Sequence, residues 1–255
     1  MTVTTLCGRT ALVTGASGRI GREIALSLAD EGVNIVAHYC RSRKKNLALC
    51  REIEKKGAAA WSLQADFGEA GSAESLVAGA VRRAGKFDLL VNSASLFTKS
   101  TVRTLAAADL LSNMRVNACA PLALGRAFRR AAGRGAIVNL LDSRIAGGDP
   151  SHAGYIVSKH ALAALTRMMA IEFAPRITVN AVAPGLIRAR PQGSSVGAKN
   201  LPLMRGGVPV DVAEAVIFLL KSRSITGQII WVDGGRHVRE LCCRNRRRKE
   251  GPRDA

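Results

Sequence analysis

At 255 residues and 47% hydrophobic, the chain is long enough to bury one full core, and no uninterrupted apolar stretch reaches the roughly 20 residues of a membrane span. Lys and Arg outnumber Asp and Glu by 38 to 19; the excess is mostly diffuse and lacks a binding motif or stacking aromatics, so a basic surface is expected and a nucleic-acid site is not. The start MTVTTLCGRTALV has no apolar run behind a basic end, and the six cysteines (7, 40, 50, 119, 242, 243) show no metal-ligand spacing with the four histidines, which argues for a cytoplasmic protein with reduced thiols and no metal.

Short β-branched runs at 10–14, 33–39, 59–65, 87–93, 135–141, 176–182 and 228–232 alternate with helical stretches. That alternation predicts a single-domain α/β fold of the Rossmann type, a doubly wound parallel sheet of about seven strands with helices on both faces. Its ligand crevice lies beyond the carboxyl ends of the strands.

Directly after the first run comes TGASGRIG, opening a helix that runs to about Asp30. Gly15, Gly18 and Gly21 permit a tight turn and close backbone approach, so a pyrophosphate can sit on the helix's unpaired N–H groups, with Ser17, Arg19 and Ile20 in the same turn. The second run ends in HYCRSRKK, and no Asp or Glu occurs between Val33 and Cys50. An acidic side chain there would hold the ribose of NAD; Arg41 with Ser42, beside Tyr39, instead suits a 2′-phosphate, which predicts NADPH. After the third run Asp66 either accepts from the adenine amino group or caps a helix. Asn92, Ser93 and Ala94 follow the fourth run, and Pro184-Gly185 the sixth; all are assigned to the cofactor.

The stretch DSRIAGGDPSHAGYIVSK, 142–159, carries the chemistry. Tyr155 and Lys159 are four apart, on one face of a helix predicted over 153–173 and stopped by Pro175. A free phenol ionises near pH ~10, and a close cation would lower that value, making Tyr155 a proton donor and acceptor near neutrality.

From 10 to 235 the chain resembles the short-chain dehydrogenase/reductase family. The glycine-rich turn, the Asn-x-Ala segment after the fourth strand, Asn117 in a helix, YxxxK and the Pro-Gly pair occur in family order. The resemblance implies Tyr155 as acid/base, Lys159 as holder of the nicotinamide ribose, and Asn117 as support for a proton-relay water. Most members carry glycine where Arg19 and Ser95 stand, and a serine thirteen residues before the tyrosine, where this chain has Asp142. A one-residue deletion would put Ser143 in that place instead.

Taken together, Arg19, HYxRS, N-x-AS-x-F and aspartate for serine are similar to the pteridine reductase branch, and DGGRH at 233–237 is similar to dihydromonapterin reductases within it. That likeness implies reduction of a pterin or dihydropterin by NADPH. An aspartate can accept from an amino-pyrimidine edge when ionised, or pass on a proton when neutral, whereas serine mainly donates to a carbonyl oxygen. Phe97 either stacks on the flat ring or is a core aromatic; Arg19 meets the phosphates and the pterin together, or the pyrophosphate only; Ser95 can bond both ligands. The alternative for Asp142 is a loop carboxylate paired with Arg144.

Residues 186–210, rich in Gly, Pro and Ser, read as a substrate lid or as an insertion without ligand contact. The domain is placed at 1–237 and a basic, disordered tail at 238–255. The family resemblance implies a homotetramer in which C-terminal segments approach neighbouring subunits, so that Arg236 or His237 borders a site. Rival functions are an ordinary ketone or 3-oxoacyl reductase, and a non-catalytic NADP- or nucleic-acid-binding protein.

Overall fold

In the computed structural model, which describes residues 5–187 and 201–239, strand β1 (Thr10–Thr14) is buried along its whole length. An apolar strand with no wet face needs a layer on each side. Its residues divide accordingly: Ala11 and Val13 belong to one core and Leu12 to the other. β2 (Asn34–Tyr39) repeats the alternation, with Ile35 and Ala37 on one side and Val36 opposite. With β3 (Ala60–Gln64), β4 (Leu89–Asn92), β5 (Gly135–Leu140), β6 (Ile177–Pro184) and β7 (Ile229–Val232), the strands form one sheet in the order β3-β2-β1-β4-β5-β6-β7. Every neighbouring pair is parallel. All seven predicted strands are present, within one or two residues at their ends.

Helices α1 (Arg19–Asp30), α2 (Arg43–Lys55) and α7 (Pro209–Lys221) cover one face, around Ile24, Leu28, Leu49, Ile53, Val216 and Leu219. On the other lie α3 (Ser72–Ala84), α5 (Ala120–Ala132) and α6 (Ala153–Glu172). There Phe87 and Phe128, both fully buried, meet with ring centroids 5.2 Å apart. Truncating either to alanine would cost about 3–5 kcal/mol. Helix α6 buries Tyr155, Lys159, Leu162, Thr166 and Met169 at three- and four-residue steps. It ends at Glu172, before the proline that cannot continue it.

Between α4 (Ala107–Met114) and α5 a single wide π-turn, Arg115–Cys119, interrupts an otherwise continuous helix. Such turns frequently accompany functional sites, and this one carries Asn117. The expected lid lies partly outside the described residues, at 188–200; its flanks are bridged at Ile187 and Gly207. The helix after it begins at Pro209, which trims the lid's predicted end by two residues. Of the basic tail only 238 and 239 are described.

The chain steps outward from β1 to β3 and then returns to place β4 on the other side of β1. The loops leaving β1 and β4 therefore part company, and a crevice opens between them.

Candidate active site

The crevice measures about 630 Å³. Its floor is the turn after β1. The Thr14 hydroxyl accepts from the N–H groups of Ser93 and Ala94 at 3.0 Å each, drawing the loop after β4 against that turn. Gly15 has φ +64°, and a Cβ there would stand 2.8 Å from Ala94 Cα; one on Gly21 would stand 2.4 Å from the Gly15 carbonyl oxygen. Glycine is required at both. The first turn of α1 holds no acidic residue and no side-chain cap, so its N–H groups and positive dipole end face the crevice, as a pyrophosphate would require.

His38 holds this turn in place, a role not apparent from the sequence. Its Nδ1 accepts from Gly15 N at 3.1 Å, Nε2 donates to the Ala65 carbonyl at 3.0 Å, and its own carbonyl accepts from Ala16 N. Burial lowers its pKa from 6.5 to about 4, so the ring is neutral and can accept and donate at once. The sequence signal was there in a histidine following the apolar run Ile35–Ala37 of that strand.

Ser17, Gly18, Arg19 and Ile20 line the crevice, as do Arg41 and Ser42 at the end of β2 and Asp66 beyond β3. Asp66 Oδ1 accepts from Gly68 N and so caps a turn; the next helix begins only at Ser72 and is not capped by it. Ser93, Ala94, Pro184 and Gly185 complete the wall. The side chains of two expected cofactor residues do not line it. Tyr39 is buried, because alternation along β2 turns its neighbours His38 and Cys40 to the crevice instead. Asn92 turns inward and donates to Asn139 Oδ1 at 2.8 Å.

His237 packs against the last strand. It stacks on Trp231, with centroids 4.6 Å apart, and its Nδ1 lies 3.0 Å from both Asp233 carboxylate oxygens. It does not line the crevice. Asp233 in turn packs so closely on Gly185 that a Cβ there would meet Asp233 Cβ at 2.6 Å.

At the other end of the crevice Tyr155 donates to Asp142 Oδ2 at 3.0 Å. Ser143 is fully buried, and its Oγ has no protein partner, so Asp142 is the residue facing the phenol. The alternative pairing with Arg144 is equally real: Arg144 Nε and Nη2 reach the two Asp142 oxygens at 3.0 and 2.8 Å. Arg144 Nη1 reaches Asp149 Oδ2 at 2.6 Å, and His152 Nδ1 lies 2.8 Å from that same oxygen.

Lys159 is buried and donates to the Leu140 carbonyl at 2.7 Å. Burial lowers its pKa to about 8, with the Asp142 charge opposing. The expectation that this cation brings Tyr155 toward neutrality does not hold within the protein alone. Burial first, and then the charge and hydrogen bond of Asp142, push the phenol upward; Arg144 and Ser95 pull it down without prevailing. The Lys159 ammonium is 5.7 Å from the phenol ring centroid.

Asn117 does not line the crevice. It accepts from Leu96 N at 2.7 Å and Ser95 Oγ at 3.1 Å, and donates to the Leu96 carbonyl and Ser158 Oγ. Its side chain therefore fixes the 95–97 loop. Phe97 is 52% exposed, which rules out a core aromatic. It stacks on His152 at 4.2 Å and meets Tyr155 edge-on at 4.7 Å. Arg19 bridges the crevice rim by donating to the Ile187 carbonyl at 2.8 Å.

A family model described as Enoyl-(Acyl carrier protein) reductase matches residues 15–237. The chain is 35% identical to 3-oxoacyl-(acyl-carrier-protein) reductase FabG of Staphylococcus aureus, over 90% of this chain and 98% of that protein. The crystal structure of FolM Alternative dihydrofolate reductase 1 from Brucella canis complexed with NADP has a TM-score of 0.86 and 35% identity, covering 92% of this chain and 96% of that one. A blue fluorescent protein from a metagenomic library, in complex with NADPH, gives a TM-score of 0.84 at 32% identity over 91% of this chain and 98% of its own. On this match of model, sequence and sheet order, the chain belongs to the short-chain dehydrogenase/reductase family.

Proposed function

We propose that this chain, an NADP-dependent reductase of its family, reduces a pterin or dihydropterin to the tetrahydropterin. The observation that carries the reading is the Asp142 carboxylate 3.0 Å from the Tyr155 hydroxyl, where most of the family has serine. The likeness to FolM Alternative dihydrofolate reductase 1 of Brucella canis supports it.

The glycine turn and the first turn of α1 would hold the pyrophosphate, Arg41 and Ser42 the 2′-phosphate, Asp66 the adenine and Lys159 the nicotinamide ribose. Bound NADPH supplies a hydride. Tyr155 Oη then serves as the proton site, since hydride addition to a ring C=N leaves basic nitrogen that needs a proton. Asp142 accepts from the amino and N–H edge of the substrate, a bond that serine would make less well. Ser95 and Arg19 border this space, Asn117 fixes the loop that carries Ser95, and Phe97 offers its exposed ring to a flat heterocycle. The apolar residues Val157, Met168 and Ile171 stand exposed on α6, and we assign that face to a homotetramer of a cytoplasmic enzyme.

The test is NADPH oxidation with a dihydropterin against a panel of ketones and 3-oxoacyl thioesters. Turnover of the dihydropterin supports the reading, and turnover of carbonyl substrates alone removes it. That second outcome is the rival favoured by the 35% identity to the 3-oxoacyl reductase.

A further inference from the structure

We propose that Arg144 is a positioning residue of this site. Its guanidinium fixes Asp142 as an acceptor-only carboxylate facing Tyr155 and, through Asp149 and His152, ties that carboxylate to the Phe97 wall. The proposal rests on the reductase reading above and assigns a function to a residue that reading does not use.

Four hydrogen bonds arrive at Asp142, from Arg144 N at 2.9 Å, Nε at 3.0 Å and Nη2 at 2.8 Å, and from Tyr155 Oη at 3.0 Å. In each the partner is the donor. Arg144 offers no acceptor and reaches both oxygens through its planar fork, a geometry that matches the ionised carboxylate and leaves the phenol as the donor to it. Of the two roles open to Asp142, accepting from a substrate or handing it a proton, the structure assigns the first. The proton site is then Tyr155.

The arrangement is costly for a merely structural pair. The side chains of Arg144, Asp142 and Asp149 are only 20, 14 and 13% exposed, and burial of an ion pair at this depth contributes little net stability. Burial also works against the Arg144 cation, yet Asp142 and then Asp149 raise its pKa well above the usual arginine value. Burial opposes the Asp149 anion too, and Ser151 N–H, His152 and Arg144 nevertheless hold its carboxyl below the usual range. Arg144 is therefore a fixed cation between two fixed anions.

Two cations flank the phenol. The Lys159 ammonium, engaged by the Leu140 carbonyl, lies 5.7 Å from the Tyr155 ring centroid, and Arg144 Cζ lies 5.5 Å from it and 4.8 Å from that of Phe97. One guanidinium thus touches the proton site, its carboxylate and the ring wall.

A double-mutant cycle on the full-length enzyme tests this, with kcat/KM read on both a dihydropterin and a ketone. Arg144→Met is expected to lower kcat/KM roughly 100-fold with Asp142 present, and less than about 3-fold in the Asp142→Asn background, because the residue acts through that carboxylate. The loss should leave the KM for NADPH unchanged, because Arg144 touches only the phenol half of the crevice. Equal losses in both backgrounds, or a comparable rise in the NADPH KM, would overturn the proposal. Should Arg144→Met fail to fold, Arg144→Lys keeps the charge without the planar fork. It is expected to lose roughly 10-fold, again only with Asp142 present; full activity would overturn the idea. If the wild type turns over the ketone but no dihydropterin, the pterin reading falls, while the cycle read on the ketone still decides Arg144.

Discussion

The two halves of the crevice are held by different physics. Around the glycine turn the parts are neutral: Gly15 N, the His38 ring, the Thr14 hydroxyl and the backbone of 93–94. Around the phenol the parts are ions: Asp142, Arg144 and Asp149 in one chain of contacts, with His152 at its end. The cofactor half must present backbone N–H groups to phosphate, and a neutral, buried hydrogen-bond frame does that without competing charge. The substrate half must move a proton, and fixed charges set how readily each group gives or takes one.

The contrast is broken most severely at the phenol. Tyr155→Phe should lower kcat by roughly 1,000-fold through loss of the proton site, while NADPH affinity by fluorescence titration stays unchanged, since the ring still meets Phe97. A comparable loss of NADPH affinity would show the halves are not separable. Next comes Asp142→Ser, which installs the hydroxyl most of the family carries. Dihydropterin turnover should fall about 100-fold, within the range for a charge-assisted hydrogen bond, and ketone turnover should hold or rise. On the cofactor side, Arg41→Ala should reduce the preference for NADPH over NADH by roughly 30-fold and leave kcat at saturating cofactor alone; an unchanged KM ratio for the two cofactors would remove Arg41 from the 2′-phosphate site.

How far these parts could be read from the sequence depended on the range of the interactions. The strands and the glycine turn follow from local pattern, because a sheet covered on both faces needs unbroken apolar runs and a phosphate turn needs glycine where a Cβ would collide. Asp142 opposite Tyr155 was legible as a spacing of thirteen, although only geometry separates it from Ser143, whose hydroxyl is buried. Tyr39 and Asn92 failed because motif position says nothing about which way a strand-end side chain points, and one step along β2 exchanged Tyr39 for His38. The phenol failed for an energetic reason: sequence supplies the neighbouring cation but not the degree of burial, and burial is the larger effect on Tyr155. Arg144, Asp149 and His152 all lie between the two recognised residues, yet their joint network needs the folded loop.

His38 gives the smallest effect and the finest test of the neutral half. His38→Phe keeps a flat ring against Phe67, with which His38 now stacks at 4.6 Å, but removes the acceptor for Gly15 N. An unsatisfied buried amide costs about 1–3 kcal/mol, part of it released as the turn relaxes, so NADPH affinity should weaken about 10-fold at pH 7. The pH dependence carries a definite sign. His38 takes up its proton only near pH 4 when folded, against 6.5 as an ordinary histidine, so between those values the unfolded chain binds more protons and acid favours unfolding. The wild type should lose stability as pH falls through that window, by an amount on the order of 3 kcal/mol at most, and His38→Phe should flatten the slope. Urea midpoints at pH 7 and pH 5 measure it. Equal slopes in the two proteins would mean that His38 is not the buried neutral acceptor beneath the phosphate turn.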